Sequence, residues 1–388
     1  MTQHVPLGQL FDIIAGGTPS RSKPEYFGGA IPWVKISDML QGLVFTTEER
    51  ITEAGLSNSS AKIIPKGTLL ISIFATVGRT AELGVDAATN QAIVGLVPKK
   101  SGVNIQYIRY CLDSKVDKLI EKSRGVAQNN INKAILSNIE LPLPNVDTQN
   151  YIANILSEAD KARQLRHTAN TLTDQFLQST FLSMFGDPVN NPMGWEVKKI
   201  EDIIIEGPQN GLYVPSTQYG EGTPILRIDS FYDGYIDDIN SLKRIKISSQ
   251  IEDLYSLQEN DFVINRVNSR KYLGKSALIP KLNEKTVFES NMMKFRIDIK
   301  KIAPQFFIYQ LQQNHIKRQI LKRAKDSVNQ SSINQSDVKS FTVFIPPLKL
   351  QKQFADIVTQ TEELRKRQLA HQQELEQLFK GLLQKYFG

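Results

Sequence analysis

The feature that most constrains this chain is a repeat at a fixed offset of 202 residues. Residues 144–186, PNVDTQNYIANILSEADKARQLRHTANTLTDQFLQSTFLSMFG, fall without a gap on residues 346–388, PPLKLQKQFADIVTQTEELRKRQLAHQQELEQLFKGLLQKYFG. Pro144 matches Pro346, Gln149 matches Gln351, Arg163 matches Arg365, and Phe185 with Gly186 match Phe387 with Gly388. The approach to each stretch repeats as well, VAQNNIN from 126 and VNQSSIN from 328. A period sustained this long means one structural unit used twice.

Each copy reads as one long helix. The first has Asp147 as its expected N-cap and no internal Pro or Gly before Gly186. Heptad-like spacing places Phe354, Ile357, Thr361, Leu364, Gln368, His371, Leu375, Leu378 and Leu382 on one face of the second copy. The matching face of the first copy is Ile152, Ile155, Ala159, Ala162, Arg166, Ala169, Thr173, Phe176 and Thr180. A helix of roughly 35 residues is about 50 Å long. This exceeds the common globular length and favours a coiled-coil pair over the alternative, a bundle-core helix.

The rest of the chain also repeats, in order if not in letters. VPLGQLFDII at 5 answers WEVKKIEDII at 195, and each leads into a Gly-containing loop, GGTPSRSKPEYFGG and GPQNGLYVPSTQYGEG. Strand-like runs follow: IPWVKIS and TPILRID, KGTLLISI and ENDFVINR, NQAIVGLVP and NMMKFRIDI. A Gly–basic pair stands between the last two in each half, Gly78–Arg79 and Gly274–Lys275. Amphipathic helices are expected at 105–122 and 304–323. The fold class is therefore α+β: two mixed α/β domains, residues 1–143 and 195–345, separated by two long antiparallel spacer helices, residues 144–186 and 346–388. Residues 187–194, rich in Pro, Gly and Asn, form the linker. Antiparallel packing of the helices gives the repeat a pseudo-twofold axis.

Composition narrows the function. A net charge of +7 favours a polyanionic partner. The single cysteine, Cys111, excludes an internal disulfide framework and is expected in the core. The start, MTQHVPLGQL, lacks the cationic-then-apolar pattern of a signal peptide, and the apolar run at 69–75 is too short for a bilayer. A cytoplasmic protein without a membrane partner is expected. The four histidines are scattered without metal-ligand spacing. Gly274-Lys275-Ser276 resembles the end of a phosphate-binding loop, but the required earlier glycine is Ser269. No catalytic, cofactor-binding or metal-binding residues are assigned.

What remains is DNA binding. In the second half, residues 264–275, INRVNSRKYLGK, offer Asn265, Arg266, Asn268, Ser269, Arg270, Lys271 and Lys275 for base edges and phosphates. Asn210, Tyr213 and Arg227 join them from the first loop and the strand after it. The run HIKRQILKRAK carries Lys317, Arg318, Lys322, Arg323 and Lys325 without an acid; Lys322 and Arg323 are taken as phosphate contacts. In the first half the candidates are Thr18, Ser20, Arg21, Lys23, Lys35, Ser37, Ser72 and Arg79. For each single residue a capping, turn or surface role is the competing account.

The pattern GGTPS…IPWVKISDM…GTLLIS…NQAIVGLVP, then LPLPNVDTQNYIANIL, resembles the specificity subunit of a type I restriction–modification enzyme, over essentially the whole chain. The second half departs at its first loop, GPQNGLY in place of GGTPS, and at FIPP in place of LPLP. The resemblance implies that each domain recognises one half of a bipartite target in double-stranded DNA. It implies that the helices fix the gap and that the subunit is not itself catalytic. It also implies recruitment of two methyltransferase subunits and, through them, restriction subunits, the complex using S-adenosylmethionine, and ATP with Mg2+ for restriction. Partner docking is expected along the exposed helix faces and residues 126–132 and 328–334, with Arg163 and Arg365 as test positions. The competing function is a scaffold that pairs proteins through its helices and binds DNA weakly.

Overall fold

The computed structural model describes residues 3–40, 42–74, 76–116, 131–232, 234–236, 238–328 and 330–388. The chain divides into two compact units, the first Met1–Thr168 with Leu369–Gly388, the second Ala169–Gln368. Each unit contains one globular domain and a stretch of both long helices, Val146–Phe185 and Leu348–Phe387.

In the first unit a five-stranded sheet has the spatial order Phe11–Ala15, Ile93–Pro98, Leu69–Ser72, Thr80–Leu83, Leu43–Val44. Its central strand, LLIS, is buried at all four positions, which is why Leu69–Ile71 reads as a continuous apolar run rather than an alternation. A smaller sheet, Glu49–Ile51, Phe27–Val34 and Ala88–Thr89, stands beside it. Asn104 caps the helix Ile105–Asp113 by accepting from the Tyr107 amide at 2.9 Å, and that helix sends Tyr107, Ile108 and Cys111 into the core. Burial pushes the Cys111 thiol up to about 12. Residues 117–122 of the expected helix lie outside the described residues.

The second unit repeats the plan. Ile204–Asn210, Met292–Ile297, Asp261–Asn265 and Ser276–Leu278 form the larger sheet in that order. Lys243–Ile245, Tyr219–Leu226 and Val287–Phe288 form the smaller one. The helix expected over 304–323 is two helices, Pro304–Leu311 and Asn314–Arg323. Gln313 takes an extended conformation between them, and this re-aims the second so that Ile316 and Ile320 reach the core.

The long helices pair antiparallel within each unit. In the second, Thr173 meets Gln368, Asp174 meets Arg365, and Phe181 meets Phe354. In the first, Arg163 donates to both carboxylate oxygens of Glu376, at 3.0 and 2.8 Å. Two expectations need correction. The first helix is capped by Asn145, whose Oδ1 accepts from the Thr148 amide at 2.9 Å; Asp147 lies in the first turn. The seam also differs at every second position. Phe354, Thr361 and Gln368 are inside as expected, but Val358, Arg365, Gln372 and Phe379 replace Ile357, Leu364, His371 and Leu378. The first helix shows the same shift, with Leu156, Arg163, Asn170 and Leu177 inside and Phe176 half exposed. Spacings of four-then-three and three-then-four share one period, so periodicity alone does not choose between them.

Each helix is tied to its own domain by a buried glutamine. Gln149 Oε1 accepts from the Asn104 amide at 2.9 Å, and its Nε2 donates to the carbonyls of Pro144 and Gly102. Gln351 makes the equivalent set with the Ala303 amide, Pro346 and Lys301. The matched pair explains why glutamine stands at both positions: one side chain supplies the acceptor and both donors that the buried backbone requires.

Candidate nucleic-acid interface

In the first unit the GGTPS loop is set by close approach. A Cβ on Gly16 would lie 2.1 Å from the Asn90 carbonyl oxygen, and one on Gly17 would lie 2.2 Å from the Ala61 amide nitrogen, so no side chain fits at either. Trp33 fastens the loop by donating from Nε1 to the Gly17 carbonyl at 3.0 Å. The strand Phe27–Val34 pairs Trp33 with Glu49, which places Glu49 between two of the candidates. Arg21 donates to both Glu49 oxygens, at 2.6 and 3.2 Å, and lies 4.4 Å over the Phe27 ring. Lys35 bonds Glu48 at 2.6 Å and Glu49 at 2.9 Å. Arg21, then Lys35, hold the Glu49 carboxyl down to about 2.

Of the other candidates, Ser20 shares a hydrogen bond with Ser22 and Lys23 donates to the Tyr26 hydroxyl at 3.1 Å. Ser37 is exposed and Thr18 half-buried. Ser72 is a correction. It is fully buried, donates to the Thr76 carbonyl and accepts from the Arg79 amide at 2.9 Å. Its hydroxyl closes the strand end and is unavailable to DNA. Arg79 itself is half-buried and lines a cavity with Arg109, Arg163 and His167.

In the second unit the glycine equivalent to Gly16 is Gly211. Gly16 donates to the Ile93 carbonyl at 3.0 Å, and Gly211 donates to the Met292 carbonyl at 3.0 Å. The GPQNGLY departure is thus an insertion, absorbed by register shifts between Ile204 and Glu206 and between Glu206 and Gln209. Beyond Gly211, Tyr213 stands 78% exposed. Asn210 and Arg266 line one shallow polar cup with Asn334, Gln335 and Ser336. Of the last three, Asn334 ends the stretch 328–334 expected to dock a partner, and Gln335 and Ser336 lie just beyond it. In fact Ser331–Ser332 pairs with Val267–Asn268 on one side and Lys325–Asp326 on the other. Residues 330–334 therefore belong to the candidate DNA-reading loop. Residues 126–130 of the first copy lie outside the described residues, but Ile131 bonds Ile73 as Ile333 bonds Arg266.

The remaining candidates separate. Asn268 accepts from the Ser269 amide at 2.8 Å, and Arg270 pairs with Asp326. Lys271 and Ser269 are exposed on the same turn. Lys322 is exposed, and Arg323 lies 5.8 Å over Phe341. Arg227 is held 3.6 Å from Glu289 and 3.7 Å from Asp229. One further correction follows from burial. Asn265, the strand equivalent of Ser72, is fully buried. Lys275 turns inward, donating to the Ile228 carbonyl and lying 4.0 Å over the Tyr232 ring. It is half-buried, in the turn just before the strand Ser276–Leu278.

Arg163 and Arg365 are also redirected. Arg163 bonds Asp160 at 3.0 Å as well as Glu376 and lies 4.3 Å over Phe379; Arg365 bonds Glu362 at 2.9 Å as well as Asp174. Both brace the helix seam and do not face outward. Among the described residues no group of His, Cys, Asp and Glu could hold a metal ion, and no helix is long and apolar enough to cross a membrane.

A family described as the type I restriction modification DNA specificity domain matches residues 2–172 and 192–377. The chain is 25% identical over 380 residues to the type I restriction enzyme MjaIX specificity subunit of Methanocaldococcus jannaschii, covering 89% of this chain and 83% of that one. It is 24% identical to the StySPI specificity subunit of Salmonella potsdam over 92% of this chain and 81% of the relative. The crystal structure of the S subunit of the M. genitalium type I restriction–modification system superposes with a TM-score of 0.61 at 15% identity, covering 100% and 96% of the two chains.

Proposed function

This chain belongs to the type I restriction–modification DNA specificity family, and on that premise we propose that its two units each recognise one half of a bipartite, asymmetric DNA target. The observation that carries this is the pairing of one hydrogen-bond skeleton with two unlike surfaces. Gly16 and Gly211, like Gln149 and Gln351, make the same bonds. The loops they hold present Arg21, Lys35 and Ser37 in one unit and Asn210, Tyr213 and Arg266 in the other. Two different readers on equivalent frames suit a target with two different halves.

The long helices act as the spacer that fixes the gap. Two methyltransferase subunits dock on their outer faces, where Leu172, Phe176 and Leu364 stand exposed in the second unit and Leu378 in the first. Restriction subunits join through the methyltransferases. The chain performs no chemistry of its own: S-adenosylmethionine, and ATP with Mg2+, belong to its partners.

The test is selection from a randomised duplex library by this chain bound to its methyltransferase partner. A two-part, non-palindromic motif with a constant gap is expected. Salt-sensitive binding without any motif would overturn bipartite recognition and leave only phosphate attraction.

A further inference from the structure

The acid-free helix Asn314–Arg323 carries four cationic side chains, and they do not share one role. Arg318 and Lys322 are exposed, one turn apart, as phosphate contacts should be. Lys317 is half-buried and points the other way, at the turn Ser269–Gly274. That turn is a single helical loop: the amides of Tyr272 and Leu273 both donate to the Ser269 carbonyl at 2.9 Å. A turn this short leaves its last carbonyls without intrahelical partners. Three of them, on Arg270, Lys271 and Leu273, converge on the Lys317 ammonium at 3.2, 2.9 and 2.7 Å.

An ammonium has three N–H donors and no acceptor. Here all three are committed to backbone oxygen, so none is left for a phosphate. Burial lowers the Lys317 pKa, a cost that a phosphate-binding lysine on an open ridge does not carry. The neighbouring packing has the same purpose. Gly274 has a φ of +77°, and a Cβ there would lie 2.2 Å from Cδ1 of Ile320, one turn beyond Lys317. Side chain and glycine together fasten the turn to the helix.

We infer that Lys317 is a positioning residue for base recognition, holding the turn that presents Ser269, Arg270 and Lys271 to one half of the DNA target. The inference rests on the bipartite function proposed above.

The experiment uses the full chain with its methyltransferase partner and the randomised library, comparing the parent with Lys317→Met, Arg270→Ala and Lys322→Ala. Lys317→Met should blur the same half-site as Arg270→Ala, with discrimination there falling about tenfold, within the usual cost of a lost base contact. The other half and the gap should stay unchanged, an internal control that the chain is folded. Lys322→Ala should instead weaken binding to every sequence and reduce the salt slope by about 1. If Lys317→Met behaves like Lys322→Ala, or leaves both halves sharp, the inference fails. If Lys317→Met loses both halves, Lys317→Gln decides, since it retains donors for two of the carbonyls. A blurred single half supports positioning, and loss of both marks Lys317 as a general stabiliser and overturns it. Absence of any two-part motif in the parent is the separate failure of the bipartite function, and this inference falls with it.

Discussion

The two units share a skeleton and differ in sign at one strand position of the smaller sheet. In the first, the strand residue paired with Trp33 is Glu49. In the second, the residue paired with Ile225, which stands where Trp33 stands, is Lys243. Glu49 holds Arg21 and Lys35 in a neutralising cluster, and Glu289 with Asp229 holds Arg227 in the second unit, whereas the Arg266 side chain donates from Nη1 to the Ser290 carbonyl and lines a polar cup. The lesson is that backbone bonds set the frame while single side chains on it set the charge offered to DNA. Exchange of surface chemistry then costs the fold little.

The units also anchor the helices differently, and this predicts the largest effect. Phe181 sits in an aromatic cluster with Phe185, Phe306, Tyr309, Phe344 and Phe354, at centroid distances from 5.0 to 6.2 Å. Its partner at the repeat offset is Leu383, which packs only partly buried against the first core. Phe181→Ala should cost about 3–5 kcal/mol, the range for a fully buried aromatic, and Leu383→Ala about 1–2 kcal/mol. Denaturant melts of each variant measure both. Equal losses would mean that the two anchors are equivalent and that the contrast is one of residue type alone.

The buried glutamines predict the opposite, a match. Gln149→Ala and Gln351→Ala each strip partners from a backbone amide and two carbonyls, and each should cost about 1–3 kcal/mol. Hydrogen exchange at Asn104 and Ala303 reads the exposed amide directly. Protection lost in only one unit would show that the repeat in sequence is not a repeat in energetics.

How far this was legible in the sequence depends on which force set each feature. The repeat was legible because the bracket around Gln149 and Gln351 demands the same residue at the same offset. The order of strands was legible because buried central strands such as LLIS read as apolar runs. The helix seam was not, since Ile155 and Leu156, or Leu378 and Phe379, are adjacent apolar residues that both satisfy the period. The candidate residues proved to be exposed only at some positions, as at Tyr213 and Lys271. Ser72 and Asn265 share the composition of a nucleic-acid surface, but their strand positions turn them inward. Asn334, Gln335 and Ser336 carried no local signal, because strand pairing across some 65 residues, between Val267–Asn268 and Ser331–Ser332, brings them to Arg266.

The smallest effect tests the charge contrast itself. Glu49 lies between Arg21 and Lys35 with its carboxyl near 2, below the ordinary 4.5. A carboxylate with a depressed folded-state pKa contributes stability that is whole above about 4.5 and is lost as the pH falls from there toward 2. Arg21 is more than half exposed, so solvent screening keeps the contribution small, about 0–1 kcal/mol. Glu49→Gln should therefore melt slightly below the parent at pH 7, and the gap should close as the pH falls from about 4.5 toward 2, where the folded parent loses the same charge. On DNA the sign reverses. Removing Glu49 frees Arg21 for phosphates while Lys35 keeps Glu48, so affinity for any sequence should rise at low salt and fall more steeply as salt is added. Lys243→Glu in the second unit should do the converse, lowering affinity and flattening the salt dependence. If Glu49→Gln leaves the salt slope unchanged, Arg21 does not face the DNA, and the first unit reads its half-site through Thr18, Lys35 or Ser37.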